Sequence, residues 1–137
     1  MRCLKVYMAI LLLLVGSFIY IGFRSESLLM FKWFEYIGIL EYVTIFRDIC
    51  AKYSLPHFVK YSLPDGLWLL SYMLIIGTIW QTHNNRPYLL FVYTLPVASL
   101  IVELLQYFFD RLGTFDLLDI LSYTSAIIIY KLILLIR

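Results

Sequence analysis

The sequence predicts an all-α integral membrane protein. It reads as a single domain over residues 1–137, with four transmembrane helices and an amphipathic interfacial helical segment between the first and second. Composition carries the first part of that reading. Hydrophobic residues make up 63% of the chain and charged residues 15%, against roughly 45–50% and about 25% in soluble domains. A soluble chain of 137 residues has too little interior to hide so much apolar surface, so lipid must cover the remainder. The spacing of the charges carries the second part, because they leave long apolar runs between them. A net charge of +2 with scattered basic residues gives no footprint for nucleic acid.

The first run, residues 6–23, is eighteen residues without a charge. At about 1.5 Å per residue it reaches roughly 27 Å, close to the hydrocarbon thickness. Arg2 and Lys5 precede it and Arg24 closes it. It ends in Ile19-Tyr20-Ile21-Gly22-Phe23, bulky residues where a signal peptide would show a small-x-small cleavage site, so the run is expected to stay as a span. Cys3 and Cys50 lie on opposite sides of it and read as small hydrophobes.

Residues 25–63 are too polar to span. Ser25 or Ser27 is a candidate helix cap, Gly38 a candidate break, and from Leu40 onward Glu41, Asp48 and Lys52 share one stripe of a helix. Asp48 and Lys52 have the i,i+4 spacing of a helix-supporting ion pair. The segment fits a helix in the membrane interface; a cap packed on the bundle is the alternative. Tyr-Ser-Leu-Pro occurs at 53–56 and again at 61–64, and each proline disfavours helix just before it, which brackets a connector over 55–63.

The second span is expected over 64–81, with Pro64 in its first turn and Asp65 at its start. Residues 82–87 form a polar turn. The third span, 88–109, contains Pro96, which should kink it, and one charge, Glu103. Residues 110–115 make the next turn. The fourth span, 116–136, carries Asp119 near its start and Lys131 near its end, where Lys131 can snorkel toward Arg137. The positive-inside rule groups Arg2, Lys5, Arg86, Lys131 and Arg137 on the cytoplasmic side, with both termini. Lys32, Arg47, Lys52 and Lys60 in the long segment weigh against that orientation.

Alternating spans place the start of the second, the end of the third and the start of the fourth at one membrane face. Asp65, Glu103, Gln106, Asp116 and Asp119 therefore gather there, with Arg111 in the turn between the last two spans. Glu103 and Gln106 are i,i+3 neighbours, as are Asp116 and Asp119, and Tyr123 continues the latter face. A carboxylate within hydrocarbon costs at least a few kcal/mol unless it is paired, hydrated or protonated. Glu103 should consequently face the bundle, with Gln106 and Arg111 as partners. Trp68, Ser71, Tyr107 and Tyr123 are expected to wall the pocket. Intramembrane ionisable groups of this kind mark a binding or catalytic site, or they hydrogen-bond the helices together.

His57 and His83 are expected at opposite faces and so cannot share a metal. No metal and no cofactor is expected, and the chain has no His-Glu-x-x-His, phosphate-binding glycine loop or nucleophile elbow. An acid–base enzyme acting on a lipid-linked substrate, with Glu103 or Asp119 as the acid or base, stays open. So do a proton-coupled transporter, for which four spans would require oligomerisation, and a structural subunit.

The stretch Glu103-Leu104-Leu105-Gln106, followed by Arg111-Leu112-Gly113-Thr114-Phe115-Asp116-Leu117-Leu118-Asp119-Ile120, resembles the VanZ-like membrane protein family. That family has an E-x-x-Q near the end of one span, then an Arg, a Gly/Thr/Phe-like turn and a D-x-x-D entering the last span. The resemblance covers mainly residues 99–126. Where the family usually has an Asn and then a Gly, this chain has Tyr123 and Ala126. The resemblance implies a small multi-pass protein of the bacterial inner membrane, with one namesake linked to glycopeptide resistance. It implies functional positions at Glu103, Gln106, Arg111, Asp116 and Asp119; Asp65 joins them by topology alone. The expected partners are the lipid bilayer and a polar headgroup or envelope precursor, with Arg111 holding an anionic group and Gln106 and the acids orienting polar ones.

Overall fold

The computed structural model describes all residues except 1, 81–85, 110, 112 and 136–137, and the side chain of Arg86. The described residues contain helix and no strand. In chain order the helices are α1 (Arg2–Phe23), α2 (Leu29–Tyr36), α3 (Leu40–Cys50), α4 (His57–Tyr61), α5 (Leu63–Ile79), α6 (Arg86–Phe108) and α7 (Leu117–Leu135). Three of them, α1, α6 and α7, are long and apolar enough to cross a membrane, and α5 is a shorter apolar helix of 17 residues. The first span starts four residues earlier than expected, because the helix extends through Lys5, which is buried. The turn expected at 82–87 falls largely outside the described residues, as do His83, Arg137 and the Asp110 end of the next turn.

α5 is the axis of the bundle. Its sequence LPDGLWLLSYMLIIGTI is apolar around nearly its whole circumference, the pattern of a helix surrounded by others. Leu69, Leu70, Met73 and Leu74 are buried there, joined by Ala9 of α1, Val92 of α6 and Ala126 and Tyr130 of α7. α1 runs antiparallel to α5: Ser71 Oγ donates to the carbonyl of Ala9 at 2.7 Å, and Trp68 lies against Gly16 and Tyr20. α7 runs parallel to α5. At one end Ser122 Oγ donates to the Ser62 carbonyl at 2.7 Å; at the other, the Tyr130 hydroxyl lies over Gly77. A Cβ at Gly66 would run into Ser122 Oγ, so the absence of a side chain is what lets α5 and α7 close to this distance. Polar bonds and small residues are the usual means of joining helices where lipid offers no hydrophobic drive. α6 returns antiparallel, with the Tyr72 hydroxyl donating to the Phe91 carbonyl and Tyr88 bonded to Tyr130 at 2.8 Å. It continues as helix through the buried Pro96.

Residues 25–61 fold as three short helices. Gly38, at φ +77°, breaks α2 from α3 as its position suggests, because only glycine takes that conformation without strain. Neither Ser25 nor Ser27 caps α2. Their hydroxyls bond each other at 2.8 Å, and the N-cap is Leu28, which makes no side-chain cap. The Asp48–Lys52 ion pair is not formed, because α3 ends at Cys50 and leaves Lys52 in the following turn. The connector between the prolines holds a helix of its own, α4. α3 lies on the last turns of α1, with Phe46 beside Phe18, Cys50 against Gly22 and the Arg47 guanidinium donating to the Ile21 carbonyl at 2.5 Å.

Candidate functional site

The end of α1, the start of α5, the end of α6 and the start of α7 meet at one end of the bundle. Asp65, in the first turn of α5, has Arg24, Asp119 and Glu103 as its charged neighbours. The cation here is Arg24, the residue that follows α1. Its Nη2 lies 3.8 Å from Asp65 Oδ2 and donates to the Tyr61 carbonyl at 2.9 Å. The guanidinium carbon sits 5.1 Å from the Tyr20 ring centre and 4.9 Å from that of Tyr61, distances at which the ring quadrupole attracts a cation. Arg111 does not take this part. It is exposed in the α6–α7 turn and makes no ion pair with any described carboxylate. Arg24 was legible by the same alternation that gathered the acids, because the end of a first span shares its face with the start of a second.

Much of the Glu/Gln/Asp pattern is spent on building the α6–α7 turn. Glu103, only 4% exposed, accepts the backbone N–H of Asp116 on Oε1 at 2.7 Å. Asp116 Oδ1 in turn accepts the N–H of Leu118 at 2.9 Å, capping a donor that the first turn of α7 leaves open. Gln106 lies against Gly113, where a Cβ would come within 2.9 Å of its Nε2. Gly113 has φ +134°, a backbone state suited to glycine. His57, on α4, joins this end, with Nδ1 at 3.9 Å from Asp116 Oδ2 and its ring on Tyr61.

Asp65 faces a groove. An open cleft of about 200 Å³ is lined by Asp65, Trp68 and Leu69 of α5, Leu95 and Ser99 of α6, and Tyr123 of α7. Two of the four expected wall residues, Trp68 and Tyr123, are there. Ser71 instead turns the other way to bond α1, and Tyr107 is exposed beside Phe108 and Phe115. Leu95 and Ser99 take their places, a choice set by the rotation of α6 that its sequence does not announce. Tyr123 shares Asp65, Asp119, Glu103 and Arg24 as charged neighbours. Asp119 Oδ1 and Arg24 Nε are buried atoms that make no hydrogen bond with a described residue. The groove thus offers the Asp65 carboxyl, the Ser99 and Tyr123 hydroxyls and an aromatic wall, with Arg24, Asp119 and Glu103 as the charged neighbours of Asp65. Among the described residues no three His, Cys, Asp or Glu side chains are grouped so as to hold a metal ion.

No protein-family model, no curated protein and no solved structure matches this chain.

Proposed function

We propose that the chain is a VanZ-like, four-span protein of the bacterial cytoplasmic membrane. In this reading it binds a polar headgroup or envelope precursor in the groove of Asp65, Trp68, Ser99 and Tyr123. The fourth span is α5. Its 17 residues reach about 25 Å at 1.5 Å per residue, the short end of what crosses a bilayer. An even number of crossings returns both termini to one side, and the positive-inside rule makes that side cytoplasmic. The segment holding α2 and α3 lies in the interface, with Trp33, Ile37, Tyr42, Ile45 and Ile49 exposed to dip among the headgroups.

The observation that carries the binding reading is the groove itself, open at its surface and lined by Asp65, whose charged neighbours include Asp119 and Glu103. A carboxyl such as Asp65, at the wall of an open cleft, is further stabilised by a polar ligand that pairs with it. Arg24, rather than Arg111, is the cation available to an anionic part of that ligand. Binding of such a precursor would connect the protein to the cell surface and to glycopeptide tolerance. Mass spectrometry of lipids retained by the gently purified protein tests the reading. One lipid bound in the groove is expected, lost in the Asp65→Asn/Asp119→Asn variant while the amount of protein is maintained. Purification without any stoichiometric lipid would sink it.

A second reading is structural, and a specific observation favours it: Glu103, Gln106 and Asp116 are engaged with the α6–α7 turn. Under it, Glu103→Ala and Asp119→Ala lower protein abundance together, and Asp65→Asn/Asp119→Asn leaves the retained lipid unchanged.

A further inference from the structure

A second cleft, of about 540 Å³, lies where α1 ends, within the roughly 300–1,000 Å³ of small-molecule sites. Gly22 and Phe23 form one wall, and the end of α3 with the 51–55 connector forms another. The charged side chains on it are Arg47, Lys52 and Lys60 against Glu26 and Asp48. These are not equivalent. Glu26 is engaged by Arg47, Oε1 to Nε at 3.2 Å, and Arg47 is further fixed by the Ile21 carbonyl and the Phe31 ring. Lys52, past the end of α3, and Lys60, whose ammonium sits 5.0 Å from the Tyr61 ring centre, make no ion pair with any described carboxylate. Two ammonium groups thus share a cleft in which Asp48 is the one acid not bonded to Arg47.

Location supplies the chemistry of the ligand. α1 is long and apolar enough to cross a membrane, and Gly22 and Phe23 are its last residues. The cleft therefore stands where hydrocarbon gives way to the phosphate layer, the level to which lysines extend from apolar surroundings. We infer that this cleft binds a phosphate group, held by the ammonium groups of Lys52 and Lys60. The inference needs only that α1 cross the bilayer and is independent of the acidic groove. The phosphate is carried either by an anionic lipid headgroup or by a soluble phosphomonoester, and the two sources are separable. An exposed ion pair of this kind is worth up to about 5-fold in binding and two of them up to about 30-fold.

The full chain, purified in detergent, is titrated with phosphatidylglycerol and separately with phosphatidylcholine, and retained lipid is read by native mass spectrometry. Wild type should retain one phosphatidylglycerol in preference to phosphatidylcholine, whose phosphate is neutralised by its own trimethylammonium group. Lys52→Gln/Lys60→Gln should lower that preference by up to about 30-fold, whereas Lys131→Gln, on an exposed position of α7, should leave it unchanged. Glycerol phosphate that displaces the lipid assigns the site to the phosphate alone; failure to displace assigns it to the lipid. Equal retention of the two lipids by wild type, together with no binding of glycerol phosphate, overturns the inference. So does an undiminished preference in the double variant. Should the double variant lose its helical circular dichroism, Lys52→Gln alone, at an exposed position, must still lower the preference, by up to about 5-fold.

Discussion

Replacing Glu103 separates the roles that this carboxyl can play. Its Oε1 accepts the Asp116 N–H at 2.7 Å within a side chain that is 4% exposed, so Glu103→Ala removes the acceptor and leaves a donor at the head of α7 without one. A hydrogen bond to a charged group contributes about 1.5–3 kcal/mol net, and the stranded donor costs a similar amount when it cannot reach water. A loss of about 2–3 kcal/mol is therefore expected. Glu103→Gln keeps a carbonyl oxygen at the same place. It exchanges the charged bond for a neutral one worth about 0.5–1.5 kcal/mol, and it removes one of several carboxyls that face each other here, Asp116 and Asp119 among them. Those effects oppose one another, so the Gln variant should stay within about 1 kcal/mol of wild type. Reversible unfolding in mixed micelles, followed by tryptophan fluorescence, measures both. Equal losses for Ala and Gln would refute the assignment of Glu103 as an acceptor for the turn. A stable Gln variant that no longer retains lipid would separate the binding role from the structural one.

Gly66→Ala places a methyl group against Ser122 Oγ and should cost about 1–3 kcal/mol as α5 and α7 are forced apart. Adding Ser122→Ala should restore part of that loss in the same unfolding assay, and only part, because the Ser122 carbonyl and Cβ also lie close. Arg24→Ala removes a half-buried ion pair, a bond to the Tyr61 carbonyl and two ring contacts. Such pairs and ring contacts are each worth about 0.5–1 kcal/mol, so a loss of about 2 kcal/mol is expected, with Arg24→Lys recovering roughly half because its single ammonium cannot serve all these partners at once. An unchanged unfolding curve for Arg24→Ala would show that the guanidinium does not hold α1 to α5.

Composition and charge spacing alone determined that the chain is helical and that α1, α6 and α7 have membrane-crossing length. Pro64 at the head of α5 and Gly38 between α2 and α3 were equally legible, since each acts through its own backbone. Tertiary structure decided how the helices are turned about their axes. A helix apolar on every side has no stripe to say which face meets which neighbour, so nothing in α5 announced that Ser71, expected on the pocket wall with Trp68, would turn away to bond α1. That rotation is set by close approaches at Gly16, Gly66 and Gly77 and by the bonds of Ser71 and Ser122. Alternation puts both Arg24 and Arg111 at the acids' end of the bundle, and only the folded arrangement decides that Arg24 is the one paired with Asp65, because a cation's partner depends on where a whole helix ends in space and not on its distance along the chain.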